Sequence, residues 1–398
     1  MGKRVVVIGG GASGFFAAIN IANKNPTYEV IILEKSNKVL SKVRVSGGGR
    51  CNVTHACFEP KELSINYPRG QRELLGPFNY FSTGDTISWF SERGIELKIE
   101  EDGRMFPISN SSETIIDCFT NEAKNLGVKV WLNSDVKEIT KESEFQIVLK
   151  SGKKLKSDLL IIATGGFPKE KSYDFIKELG HTIESPIPSL FTFNLPKHES
   201  NKLMGLSSFA TVKIFDTKYK EYGPVLFTHW GMSGPAILKL SAKAAKLLFQ
   251  KSYQFKYSVE WMPNAEYFLN LNRKKNPSKK LLNSKPVDIS ARLWTYFIER
   301  AQISRVKNWA DLNKKEIENL TNTLENDVYE ANGKTTFKEE FVTAGGIKLN
   351  EVNMKTMESK KIPQLYFCGE VLNIDAVTGG FNFQAAWTTA WLISEHLN

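Results

Sequence analysis

The sequence predicts an α/β fold: a mostly parallel sheet with crossover helices, interrupted by a β-barrel-like domain and a small helical domain. Three features predict it. The chain opens as strand, glycine turn, helix and strand over residues 4–33. An almost wholly apolar strand returns at Asp158 to Ala163. After a long β-rich and then helical stretch, a last strand and helix follow at Leu365 to Gly369 and Phe381 to His396. Strands covered on both faces read as continuous apolar runs, whereas half-exposed strands alternate, so these runs point to a parallel sheet.

Taken in order, Arg4 to Ile8 predicts the first strand, Ala12 to Lys24 the helix and Glu29 to Leu33 the second strand, a right-handed βαβ unit. Ser36 to Asn66 is rich in Gly, Ser, Lys and Asn and predicts a long loop with short elements at most; such loops are commonly functional. Helical patterns follow at Thr83 to Arg93 and Ser112 to Leu126. Short strands are predicted at Lys129 to Leu132, Val136 to Thr140 and Phe145 to Lys150, with a hairpin turn at Ser151-Gly152. Prolines 186, 188 and 196 mark the exit from the first domain. Strands at Ser189 to Asn194, Phe209 to Phe215 and Tyr222 to Phe227 follow, then helices through Asn326, and a β pattern near Phe337 to Val342. The predicted division is 1–188 with 345–398, 189–262 with 327–344, and 263–326.

At 398 residues the chain exceeds one usual core, and its 41% apolar and 24% charged content is that of globular proteins. No apolar run reaches the length of a membrane span or a signal-peptide core, so a cytoplasmic protein without membrane association is expected. Four cysteines (Cys51, Cys57, Cys118, Cys368) with no C-x-x-C pair fit a reducing compartment and predict no metal site. The net charge of +10 suits an anionic partner, and much of it lies in Arg273, Lys274, Lys275, Lys279, Lys280 and Lys285. No segment interleaves aromatic and basic residues in the way base-stacking segments do.

The chemistry-bearing motif is Gly9-Gly10-Gly11-Ala12-Ser13-Gly14, a G-x-G-x-x-G run between strand and helix, with Glu34 ending the second strand. Gly9 permits the tight turn, Gly11 admits a pyrophosphate, and Gly14 lets the helix pack closely. Free N–H groups at the start of the helix, from Ala12 and Ser13 onward, face the phosphates, and Glu34 accepts from a ribose hydroxyl. This is a Rossmann-type dinucleotide site. Two features favour FAD over NAD. Ala163-Thr164-Gly165 ends a buried strand in small residues that a dinucleotide can cross. Gly369-Glu370 precedes a helix start at Gly380-Phe381-Asn382, whose positive end suits charge on a reduced flavin. A second G-x-G-x-x-G, which a dedicated NAD(P)H domain carries, does not occur downstream.

These runs, together with Ser46-Gly47-Gly48-Gly49-Arg50-Cys51-Asn52, Asp102-Gly103-Arg104-Met105-Phe106-Pro107 and Leu226 to Pro235, resemble the YhiN/BaiN family of bacterial FAD flavoproteins, which includes reductases of unsaturated 3-oxo bile acids. The resemblance spans nearly the whole chain. It implies an FAD domain split by the β and helical insertions, with Lys35, Lys42 and the Ser46 to Asn52 loop around the ribityl and pyrophosphate and Val136 at the adenine. The chain departs from the family pattern at Leu40-Ser41, His55, Asn373 and Ala376. Physically, consecutive glycines at Gly47 and Gly48 expose N–H groups, and Arg50 adds a fork of donors. Cys51 is expected to be an unreactive thiol, because Cys57 follows at the wrong spacing for a flavin disulfide centre.

The resulting expectation is an FAD-dependent oxidoreductase that reduces an activated C=C bond of a small molecule by hydride transfer, with NAD(P)H as a transient electron donor. No catalytic residue is assigned; His229 is a candidate proton donor or a structural histidine, and Arg104 a candidate substrate contact, with an internal salt bridge the commoner fate of such an arginine. A flavin-dependent tRNA-modifying enzyme and a non-enzymatic flavin redox sensor are the alternatives.

Overall fold

The computed structural model describes residues 2–336 and 342–397, which form two compact units, 2–189 with 342–397 and 190–336. The β pattern expected at Phe337 to Val342 lies outside the described residues except for Val342.

The first unit is built on a seven-stranded sheet. Its five-stranded parallel body runs Leu365–Phe367, Leu159–Ile162, Arg4–Ile8, Glu29–Leu33 and Lys129–Trp131 in spatial order, and two short antiparallel strands, Glu358–Ser359 and Val352–Asn353, finish one edge. Val5, Val6, Val7, Leu160, Ile161 and Ile32 are almost fully buried, as strands covered on both faces require. The helices Ala12–Lys24 and Phe381–His396 pack against each other, and Phe16 of the first sits 5.2 Å from the Trp387 ring of the second. A three-stranded meander, Val136–Lys141, Phe145–Leu149 and Lys154–Ser157, follows the last parallel strand of the first half. The expected loop between Ser36 and Asn66 contains the stretch Ser41–Gly49, which is helical at first and leaves helical geometry at Ser46, the helix Pro60–Ser64 and the two-residue strand Thr54–His55. Val342–Ile347 pairs antiparallel with Ile183–Ser189, with Ser189 opposite Val342. Residues 342–344, which the sequence reading assigns to the inserted domain, therefore sit in the first unit.

The second unit is a seven-stranded antiparallel sheet. Its two edge strands, Asp327–Asn332 and Lys334–Thr335, are consecutive in the chain and joined by Gly333 alone, and Asn194 N–H donates to Gly333 O (3.2 Å). The sheet thus curls round on itself as a barrel. The helices Ala265–Lys275, Ala291–Arg300 and Lys314–Glu325 share one hydrophobic core with it, in which Leu269, Trp294 and Leu320 join Val212, Val225 and Tyr257. The sequence reading treats these helices as a separate subdomain, but burial of each large apolar side chain contributes about 1.5–3 kcal/mol, and here the helices gain it against the barrel.

Candidate functional site

In the first unit, the motifs separated in sequence meet at the carboxyl ends of adjacent parallel strands, the position where open α/β sheets bind ligands. Gly369 follows Leu365–Phe367, Ala163 follows Leu159–Ile162, Gly9 follows Arg4–Ile8 and Glu34 follows Glu29–Leu33, four neighbours in one sheet.

The glycine turn is built as its sequence requires. Gly9 has φ +116° and a Cβ there would lie 2.4 Å from Ala163 O, while a Cβ on Gly14 would lie 1.9 Å from Gly9 O. Gly11 is the N-cap of Ala12–Lys24, and a Cβ on it would meet nothing within 4 Å. No acidic residue occupies the first turn of that helix, so its N-terminal N–H groups and dipole stand ready for an anion. Glu34 accepts from Gly10 N–H (2.9 Å) through one oxygen and from Ser36 N–H and Ser36 Oγ (both 2.8 Å) through the other. It therefore fixes the turn itself, besides any ribose contact. Ser134 N–H donates to Glu34 O (2.8 Å), which brings the start of the meander, with half-buried Val136, alongside this loop.

The Ser46 loop is a run of left-handed residues: Gly47, Gly48 and Gly49 have φ +58°, +70° and +85°, followed by Cys51 at +60°. Gly48 and Gly49 are exposed, and a Cβ on either would meet nothing within 4 Å. Other members of the loop are engaged internally. Ser46 Oγ donates to Val43 O (2.8 Å), and Arg50 bonds Glu100 (2.5 Å) and covers the Phe106 ring at 3.9 Å. The expected arginine fork of the cradle is thus held by protein groups. Lys42 is ion-paired with Glu370 (2.7 Å), whose other oxygen accepts from Thr343 N–H (2.8 Å), and Lys35 lies over the Phe167 ring at 5.3 Å. Burial pushes the Cys51 thiol up to about 12, so it stays protonated, in line with an unreactive thiol.

On the far side, Gly369 has φ +74° and a Cβ there would lie 2.6 Å from Ser13 Oγ, so the last strand and the first helix touch through a glycine. Gly165 also has a left-handed φ, +72°, just after Ala163-Thr164. The Asn52 side-chain amide accepts from Gly380 N–H (2.9 Å) and donates to Thr54 O (3.0 Å), tying the Ser46 loop to the start of Phe381–His396. His55 stacks on Phe381 at 4.5 Å, with Nδ1 3.0 Å from Gly379 O. Asn382 Oδ1 accepts from Ala376 N–H (3.0 Å), so this residue shapes the preceding loop. The first turn of this helix also carries no acidic residue.

Sequence reasoning missed two buried polar networks here. Gln384 Oε1 accepts from Thr54 Oγ1 (2.6 Å) and Thr86 Oγ1 (2.9 Å), and Asp375, fully buried, is gripped by Arg69 and accepts from Ser189 Oγ (2.7 Å). An Asp among apolar neighbours, Ile374-Asp375-Ala376-Val377, is a legible sign of a paired buried charge; its partner's identity is not. Arg104 bonds Asp102 (2.7 Å) and Glu100 (3.2 Å), the internal salt bridge expected of it in preference to a substrate contact. His229, in the second unit, is exposed on the turn between Lys220–Phe227 and Gly231–Ser233.

The residues fit a dinucleotide with a flavin. The first turns of Ala12–Lys24 and Phe381–His396 carry no acid, a Cβ added at Gly11 or Gly48 would meet no protein atom within 4 Å, and Thr343 Oγ1 and Asn373 Oδ1 are buried polar atoms without a protein partner among the described residues. Fold and site together define a flavin-dependent oxidoreductase of Rossmann type. The chain belongs to the HI0933-like family: the family model described as "HI0933-like protein Rossmann domain" matches residues 3–396. FAD is its cofactor. It is 29% identical over 98% of its length, and 97% of the relative's, to a protein of Escherichia coli named ribosomal RNA dihydrouridine synthase. It is 26% identical, over 98% of both chains, to the 3-dehydro-bile acid delta(4,6)-reductase of Clostridium scindens. Among solved structures, the 3-ketosteroid delta1-dehydrogenase of Sterolibacterium denitrificans shares the fold (TM-score 0.54, 11% identity, 99% of each chain), as does the 3-ketosteroid-delta4-(5alpha)-dehydrogenase of Rhodococcus jostii RHA1 (TM-score 0.51, 10% identity, 98% of this chain and 97% of that one). No described helix is long and apolar enough to cross a membrane.

Proposed function

We propose that the protein reduces a carbon–carbon double bond conjugated to a carbonyl, and that its substrate is a uracil base of ribosomal RNA. The observation that carries the reaction type is the pairing of relatives. One is named for a bile-acid double-bond reductase and another for dihydrouridine synthesis, and the C5=C6 bond of uracil, conjugated to C4=O, is electronically the same kind of bond as that of an unsaturated ketone. The net charge of +10 favours the polyanion. The relatives' names shift the RNA alternative from tRNA to rRNA.

When bound, the flavin supplies two-electron hydride chemistry. This chain's residues bind and orient it. The N-terminus of Ala12–Lys24 takes the pyrophosphate, Glu34 holds the turn and the ribose side, and the Ser46 to Asn52 loop with Lys42 and Glu370 encloses the middle of the cofactor. The start of Phe381–His396, pinned by Asn52, His55 and Asn382, sets a positive dipole end against the ring system. In the net reaction a hydride and a proton add across C5=C6, and the electrons come from NADH or NADPH bound transiently, since the chain carries one dinucleotide fingerprint.

The test is to incubate the FAD-loaded protein with NADH or NADPH and protein-free ribosomal RNA, digest to nucleosides and look for dihydrouridine by mass spectrometry. Dihydrouridine above a no-enzyme control supports the reading; none with either donor overturns it. A free conjugated ketone is the second reading, favoured by the bile-acid reductase. It predicts flavin-dependent loss of the enone and no change in RNA.

A further inference from the structure

We propose that the outer face of the strands Ser207–Ile214 and Lys220–Phe227 in the second unit binds unpaired nucleotides of RNA, with bases on Phe209 and Tyr222 and phosphates at Lys213 and Lys220. The choice of RNA as the ligand rests on the proposed function; the site rests on geometry.

The two strands pair antiparallel, with Phe209 opposite Pro224, Thr211 opposite Tyr222 and Lys213 opposite Lys220. Alternate residues Ala210, Val212 and Ile214 are buried in the barrel, so Phe209, Thr211 and Lys213 point outward. Phe209 is 60% exposed and Tyr222 68%. Their rings lie on a cross-strand diagonal with centroids 5.9 Å apart and planes tilted by 34°. Single exposed apolar residues are ordinary, but two neighbouring aromatics held in water by a rigid sheet form a surface for flat apolar ligands.

The charges beside them select the ligand. Lys213 and Lys220 are directly opposed, an arrangement that destabilises a sheet unless an anion lies between them. Among the described residues neither has a carboxylate within ion-pair distance, nor has Lys218 in the turn that joins the strands. Acids on this side include Glu260, opposite Thr211, and Asp216 in the same turn, and Lys256 is paired with Glu330 (3.0 Å). A depression of about 660 Å³, lined by Lys213, Thr217, Lys218, Ser258 and Asn326 with Phe215 and Asp216, adjoins these lysines. Exposed aromatics on a sheet, flanked by lysines, are the arrangement by which sheet surfaces read single-stranded RNA.

The test measures anisotropy of a fluorescent single-stranded oligouridylate, and of an RNA duplex, with the FAD-loaded wild type, Phe209→Ala/Tyr222→Ala and Lys213→Gln/Lys220→Gln. All four positions are exposed, and unchanged FAD content checks that the variants fold. The aromatic variant is expected to lose about tenfold or more in single-strand affinity, with little change for the duplex. The lysine variant is expected to lower the slope of log affinity against log salt by about 1.4, two contacts at about 0.7 each. Single-strand affinity unchanged in both variants overturns the site. So does an aromatic variant that weakens duplex and single strand equally, or tighter binding to phosphatidylserine vesicles than to RNA through the same residues. The two readings fail separately. Wild type that makes no dihydrouridine yet loses oligouridylate affinity through these substitutions keeps the site and refutes the proposed substrate. Dihydrouridine formation with unaltered binding in both variants does the reverse.

Discussion

The turn at Gly9 to Gly14 and the loop tip at Gly48 and Gly49 use the same residue for different reasons. In the turn, the protein itself demands glycine: added Cβ atoms would strike Ala163 O at 2.4 Å and Gly9 O at 1.9 Å. In the loop, Gly48 and Gly49 face nothing of the protein, and glycine is required only by backbone hand, φ +70° and +85°. Gly11 belongs to neither class, because its φ of −93° suits any residue and its Cβ would meet no protein atom. Its smallness is useful only to something bound there. A glycine motif therefore mixes packing, conformation and ligand access, and substitution separates them.

The largest effect is expected at Gly14. Gly14→Ala drives a methyl into a backbone oxygen that cannot swing aside, and a loss of about 3 kcal/mol or more, at the upper end for overpacking, should appear as a lowered melting temperature or insoluble protein. Glu34→Ala comes next. It removes the acceptor of Gly10 and Ser36 N–H groups and should lower stability by about 1–3 kcal/mol in denaturant titration, with FAD retention on gel filtration falling in parallel. Gly48→Ala should cost about 1–2 kcal/mol through its left-handed φ alone. Gly11→Ala should leave the flavin-free protein within about 0.5 kcal/mol of wild type, as for an unhindered surface position, yet weaken FAD retention most of the four relative to its stability effect. The contrast breaks if Gly48→Ala destabilises more than Gly14→Ala. It also breaks if Gly11→Ala melts early without FAD.

What could be read from the sequence was local. Strand, glycine turn, helix and terminal acid are contiguous in residues 4–34, and each signal acts within a few residues of itself, so the nucleotide fold and the flavin motifs were legible. What was hidden depends on partners far apart. The Thr54–Gln384 and Ser189–Asp375 bonds join residues 330 and 186 positions apart. Arg50 read as a free donor because Glu100, which bonds it, carries no mark of that role in sequence. The helices after Ala265 looked like a domain of their own because a helical pattern shows that a face is apolar, not what covers it. The aromatic and basic surface of the barrel was invisible for a related reason. Phe209 and Lys213 lie on one strand, Lys220 and Tyr222 on the next, and only the pairing register sets them side by side.

The central claim is that this FAD protein passes electrons to a conjugated double bond. The most direct measurement is a single turnover: reduce the purified holoprotein anaerobically, add protein-free ribosomal RNA, and follow flavin absorbance while counting dihydrouridine. Reoxidation of the flavin is expected, with one dihydrouridine formed per flavin reoxidised. Flavin that stays reduced with RNA and with a conjugated ketone alike would contradict the claim.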